Sequence, residues 1–141
     1  MASNSAEQWK TQGNAHYSQG RLNDAVGCYT KALEAHSTNP AEGKPSVYLS
    51  NRSAAYFQLR QFKHALDDAI KACQLDPTWP KAFWRKSSAL SALGREREAL
   101  HALLTARALS GSSIDPSLTE DVKSCWSSYI GASYGSNECC Y

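Results

Sequence analysis

The sequence predicts an all-α fold, a short solenoid of three helix-turn-helix pairs closed by a seventh helix. Three observations point there. Leu22, Ala25, Val26, Tyr29, Ala32 and Leu33 fall at i, i+3, i+4, i+7, i+10 and i+11, one apolar stripe of an amphipathic helix. Phe62, Ala65, Leu66, Ala69, Ala72 and Cys73 repeat that spacing 40 residues on, with no period-two alternation of the kind a half-buried strand shows. Start and stop signals then cut the chain at matching points in each copy.

Ser5-x-x-Gln8 has the form of a capping box ahead of the first helix. Gly20, Arg60 and Gly94 fall in the three equivalent turns within pairs, and glycine tolerates the left-handed backbone such turns need. Gly13, Ser53 and Ser87 mark one position in the three copies, so the first offset is 40 residues and the second 34. The six extra residues, Asn39–Lys44, are rich in Pro, Gly and Ala and belong in a turn, with Pro40 and Pro45 breaking the helix nearby. Pro77 closes the second unit, and Pro80 suits the first turn of the next helix, where a missing N–H costs nothing. After Gly111, Asp115 and Pro116 can open a last helix with Leu118, Val122, Cys125, Trp126, Tyr129 and Ile130 at helical spacing. The expected layout is a domain over 6–130, with units of about 6–39, 46–79 and 80–113, a capping helix over 115–130 and a flexible tail over 131–141.

Trp9, Gly13, His16, Ala25, Tyr29 and Ala32 stand where the tetratricopeptide repeat has its characteristic residues, and the chain resembles that family. Leu49, Ser53, Tyr56, Ala65, Ala69, Ala72 and Pro77 keep the register in the second copy; Phe83, Ser87, Leu90, Ala99, Leu103 and Ala106 keep it in the third. Gln12, Arg52 and Lys86 depart from the family's usual Leu, and only the first copy keeps the Gly. The resemblance implies that the first helix of each pair lines a concave surface.

On those helices Lys10 and Asn14 are four apart, as are Lys81 and Arg85, and residues four apart share a helical face. Asn51 lies on the helix between them. Lys10-Thr-Gln-Gly-Asn14, Leu49-Ser-Asn51-Arg-Ser-Ala-Ala-Tyr56 and Trp79-Pro-Lys81-Ala-Phe-Trp-Arg85 resemble the dicarboxylate clamp of co-chaperones such as the heat-shock organising protein. The implied partner is the C-terminal Glu-Glu-Val-Asp tail of the 70-kDa or 90-kDa heat-shock chaperones, and the implied role an adaptor. The chemistry suits a terminal Asp with two carboxylates: Lys offers a compact charge, Arg a planar fork, and Asn uncharged donors. Tyr17, Arg52 and Trp84 are candidate secondary peptide contacts, although a solvated charge is the commoner role for residues such as Arg52 and Lys86. Trp9, Tyr17, Tyr29, Tyr56, Phe57, Phe83 and Trp84 are expected mostly in the core. The alternative reading is a scaffold whose groove takes an internal helix or loop of a partner, with no free carboxylate.

Composition narrows the rest. A net charge of +2 over 141 residues gives no case for nucleic acid. No apolar run approaches the ~20 residues that span a bilayer. Five Cys without a C-x-x-C pair suit a reducing compartment, and the expected location is cytoplasmic. Cys139 and Cys140 leave acylation open as a weaker membrane reading, while Glu138 stands where a prenylation box needs Cys. Four scattered His at no ligand spacing, and no phosphate loop or serine elbow, speak against a metal, a cofactor or an enzyme. His64, Asp67 and Asp68 read as a helix-surface cluster, Cys28 and Cys73 as small buried apolar residues, and the chain as a monomer.

Overall fold

A computed structural model of the chain describes residues 4–111. Six helices follow one another: α1 (Ala6–Ser18), α2 (Leu22–Thr38), α3 (Pro45–Gln58), α4 (Phe62–Leu75), α5 (Pro80–Ala92) and α6 (Glu96–Ser110). No strand occurs among the described residues. The expected capping helix over 115–130 and the tail over 131–141 lie outside them.

The helix ends form where local chemistry directs. Ser5 Oγ accepts the Gln8 N–H at 3.3 Å while Gln8 Oε1 accepts the Ser5 N–H at 2.9 Å, so the capping box is complete. Pro45 and Pro80 each stand in the first turn of a helix; Pro45 opens α3 as well as ending what precedes it. The three turns within pairs share one geometry. Gly20, Arg60 and Gly94 have φ of 75°, 63° and 73°. Their N–H groups bond the carbonyls of Tyr17, Phe57 and Ser91 at 2.9–3.0 Å. The next residues, Arg21, Gln61 and Arg95, each reach back to His16, Tyr56 and Leu90 at 2.9 Å. This paired pattern is the Schellman motif, which satisfies the last carbonyls of each first helix.

Each helix packs on the next, and α1, α3 and α5 also touch in sequence, so the odd-numbered helices form one layer. Ala25, Ala65 and Ala99 are fully buried at equivalent points of α2, α4 and α6. The residue that faces each of these crossings differs. Gly13 leaves room for the Tyr29 ring, since a Cβ there would sit 2.6 Å from Tyr29 Cε1. Ser53 and Ser87 instead donate to the carbonyls of Ala65 and Ala99 at 2.7 and 2.8 Å, which satisfies two buried hydroxyls. That accounts for the loss of Gly in the second and third copies.

Two expectations need correction, and a third holds in part. Arg52 is not solvated. Its Nε and Nη2 donate to Asp68 at 2.7 and 2.8 Å, and Nη1 donates to Thr30 Oγ1 at 3.0 Å. This two-point ion pair ties α2, α3 and α4 together and neutralises the charge proposed as a secondary peptide contact. Asp68 is correspondingly 3% exposed and does not belong to a surface cluster with His64. Of the seven aromatics expected mostly in the core, Tyr29 is buried and Trp9, Tyr17, Tyr56 and Phe83 pack half-buried against the core clusters, while Phe57 is exposed. Tyr48, which lies outside that set, is fully buried and packs with Ala6 and Ala32.

Candidate peptide-carboxylate site

All five candidate residues lie on the layer of odd-numbered helices: Lys10 and Asn14 on α1, Asn51 on α3, Lys81 and Arg85 on α5. Asn14 sits in mid-helix, so it plays no part in a turn or a helix start. Its Oδ1 accepts the Tyr29 hydroxyl at 2.7 Å and Asn51 Nδ2 at 3.3 Å. The α1 and α3 parts of the site are therefore joined directly, over a floor supplied by α2.

Arg85 approaches the same floor from α5. It is half-buried, and its Nε is enclosed without a hydrogen-bond partner among the described residues. Burial pushes the guanidinium pKa down, while the phenols of Tyr17 and Tyr29 favour its charge. Burial likewise pushes the Tyr29 hydroxyl up to about 12; Tyr17 and Cys28 add to this and Arg85 acts against it. Lys81, one turn before Arg85, is exposed and forms no ion pair among the described residues.

Lys10 differs from expectation in already having a partner. Its Nζ lies 2.5 Å from Glu7 Oε2, and Tyr48 donates its hydroxyl to Glu7 Oε1 at 3.1 Å. The bond from Lys10 holds the Glu7 carboxyl below the usual carboxylate range, against a smaller opposing effect of burial. Glu7 is half exposed, and surface ion pairs of this kind contribute about 0–1 kcal/mol, so an incoming carboxylate can compete for the ammonium. Tyr17 and Trp84 are half-buried.

The odd-numbered helices thus carry two Lys, one Arg and two amides on one layer, a set of donors that suits a small multivalent anion. Among the described residues, no cluster of three or more His, Cys, Asp or Glu could hold a metal ion. Sequence reasoning missed Tyr29 as part of this site. Its signal was a phenol in a column where the other copies carry Ala69 and Leu103, because a buried hydroxyl must find a partner.

The tetratricopeptide repeat profile matches residues 6–39. The human tetratricopeptide repeat protein 28 is 43% identical over 91 residues, which cover 64% of this chain but only 3% of that protein. The first tetratricopeptide repeat domain of Spaghetti (RPAP3), solved bound to the HSP90 peptide SRMEEVD, superimposes with a TM-score of 0.76 at 28% identity, over 89% of this chain and 93% of that one. The tetratricopeptide repeat domain of Arabidopsis OM64 gives a TM-score of 0.73 at 30% identity, over 85% and 93% of the two chains. With its helix pairs, turn geometry and register accounted for, the chain is a member of the tetratricopeptide repeat family.

Proposed function

We propose that the chain is a co-chaperone-type adaptor. The layer of α1, α3 and α5 grips the C-terminal Glu-Glu-Val-Asp tail of a cytosolic heat-shock chaperone of the 70-kDa or 90-kDa class, and does no chemistry on it. The observation that carries this reading is Arg85, a cation drawn into the floor of the layer that has, among the described residues, an unpartnered Nε and no carboxylate. Burying a charge without a partner is unfavourable, and a ligand carboxylate supplies what the fold withholds. Arg52 is the contrast, since its guanidinium has Asp68. Asn14, Asn51 and Lys81 lie on the same layer of helices as Arg85, and the Spaghetti domain, alike in fold and similar in sequence, binds a peptide with this ending. No described helix is long and apolar enough to cross a membrane.

The test is calorimetric titration with Met-Glu-Glu-Val-Asp as free acid and as C-terminal amide, at two salt concentrations. The acid is expected to bind with Kd of about 1–100 μM, a net −6 to −8 kcal/mol after the tail's lost freedom. Higher salt weakens it, because charges at the rim are screened within ~8 Å at physiological ionic strength. Lys81→Ala and Arg85→Ala each lower affinity at least about tenfold while helicity is kept. Equal binding of acid and amide would replace the clamp with the scaffold reading.

A further inference from the structure

Asn14 and Asn51 are the two site residues whose orientation decides the sign of what they present, and Asn14 is the one held by a hydroxyl. A carboxamide offers an acceptor oxygen at one end and two donor protons at the other, and the two ends differ little in shape. Turned one way, Asn14 welcomes a carboxylate; turned the other, it repels one.

Tyr29 fixes the choice. Tyr29 is 2% exposed, and its ring is seated against Gly13, where any side chain would collide with it. Its hydroxyl has one partner among the described residues, Asn14 at 2.7 Å, so the phenolic proton must go to that amide's oxygen or remain buried without an acceptor. Asn51 Nδ2 reaches the same oxygen at 3.3 Å. Both acceptor sites of Asn14 Oδ1 are thereby filled, and its Nδ2 protons have no partner among the described residues.

The three residues occur as a set. The equivalents of Gly13, Asn14 and Tyr29 are Ser53, Ala54 and Ala69 in the second copy, and Ser87, Ser88 and Leu103 in the third. Only the copy that carries the amide carries the phenol, and the glycine that admits its ring.

We propose that Tyr29 is a positioning residue of the anion site: its buried hydroxyl locks the Asn14 amide with both Nδ2 protons presented to the ligand carboxylate. The inference rests on the carboxylate-clamp reading for its ligand, but its geometry can be read without one.

The experiment titrates the full chain with Met-Glu-Glu-Val-Asp in four forms: wild type, Tyr29→Phe, Asn14→Ala and the double variant. Phe keeps the ring against Gly13 and deletes only the hydroxyl. Tyr29→Phe is expected to weaken binding about five- to tenfold. The same substitution has no effect in the Asn14→Ala background, where no amide remains to be oriented. Wild-type affinity in Tyr29→Phe, or an undiminished loss in the Asn14→Ala background, overturns the proposal. If the wild type binds no peptide, the clamp reading fails by itself, and the ligand-free NMR spectrum still decides the orientation. The Asn14 Nδ2 resonances shift in Tyr29→Phe if the hydroxyl holds the carbonyl, and stay in place if it does not.

Discussion

Arg85 shows how a binding residue can work against the fold that carries it. Its charge is half-buried, its Nε has no partner among the described residues, and burial lowers its pKa. Replacing such a group with an apolar side chain of similar length relieves the desolvation. Arg85→Met is expected to raise stability by about 1 kcal/mol while abolishing peptide binding, read by thermal denaturation beside titration. A loss of stability would mean that the guanidinium has a partner in solution. A second prediction follows from three buried acids. Burial, with Glu7 adding to it at Tyr48, pushes the hydroxyls of Tyr29 and Tyr48 up to about 12, and burial pushes the Cys73 thiol up to about 11. Their unfolded values lie near ~10 for phenol and ~8.5 for thiol. Between about pH 9 and 12 the folded chain therefore holds more protons than the unfolded one, so stability falls as pH rises through that window. Urea midpoints at pH 7, 9 and 10.5 should decrease in that order; equal midpoints would contradict these shifts.

At the scale of elements, the turns show what a sequence can reveal. Gly20 and Gly94 announced two of the three reversals, and register alone placed the third at Arg60, which takes the same left-handed conformation at φ 63°. A side chain with a Cβ is strained there by about 1–2 kcal/mol, partly offset by glycine's greater freedom when unfolded. Arg60→Gly should stabilise the chain by about 0.5–1 kcal/mol in urea denaturation; a neutral result would mean that the Arg60 side chain makes a compensating contact. The helix pairs were legible because apolar spacing is a local property, and the repeat frame placed the five candidate residues on the odd-numbered helices. The pairing of Arg52 with Asp68 was not legible, since the partners lie 16 residues apart on different helices and a charge on a helix usually faces water. Tyr29 was hidden for the opposite reason. It fits the apolar stripe of α2, and nothing in that spacing reveals that its hydroxyl ends beneath Asn14.

The molecule as a whole has an unfinished end among its described residues. Leu104 and Leu109 on α6 are 53% and 39% exposed, on the last helix of the stack. The apolar spacing of Leu118, Val122, Trp126 and Ile130 is suited to cover them. Truncation after Gly111 should lower the melting temperature by several degrees and promote self-association, seen by light scattering; an unchanged monomer would assign that segment another role. The packing order has a further effect. Every substantial contact among the described helices joins helices at most two apart along the chain, so the first and third pairs share almost no packing. Arrays of this kind fold by nearest-neighbour zipping and can fray from either end independently. A peptide held by Lys10 at one end and Arg85 at the other would bridge the two outer pairs, and neither could then unravel without releasing it. Occupancy would convert a loosely coupled row of hairpins into one cooperative folding unit, with amide exchange slowing most at the ends of the stack.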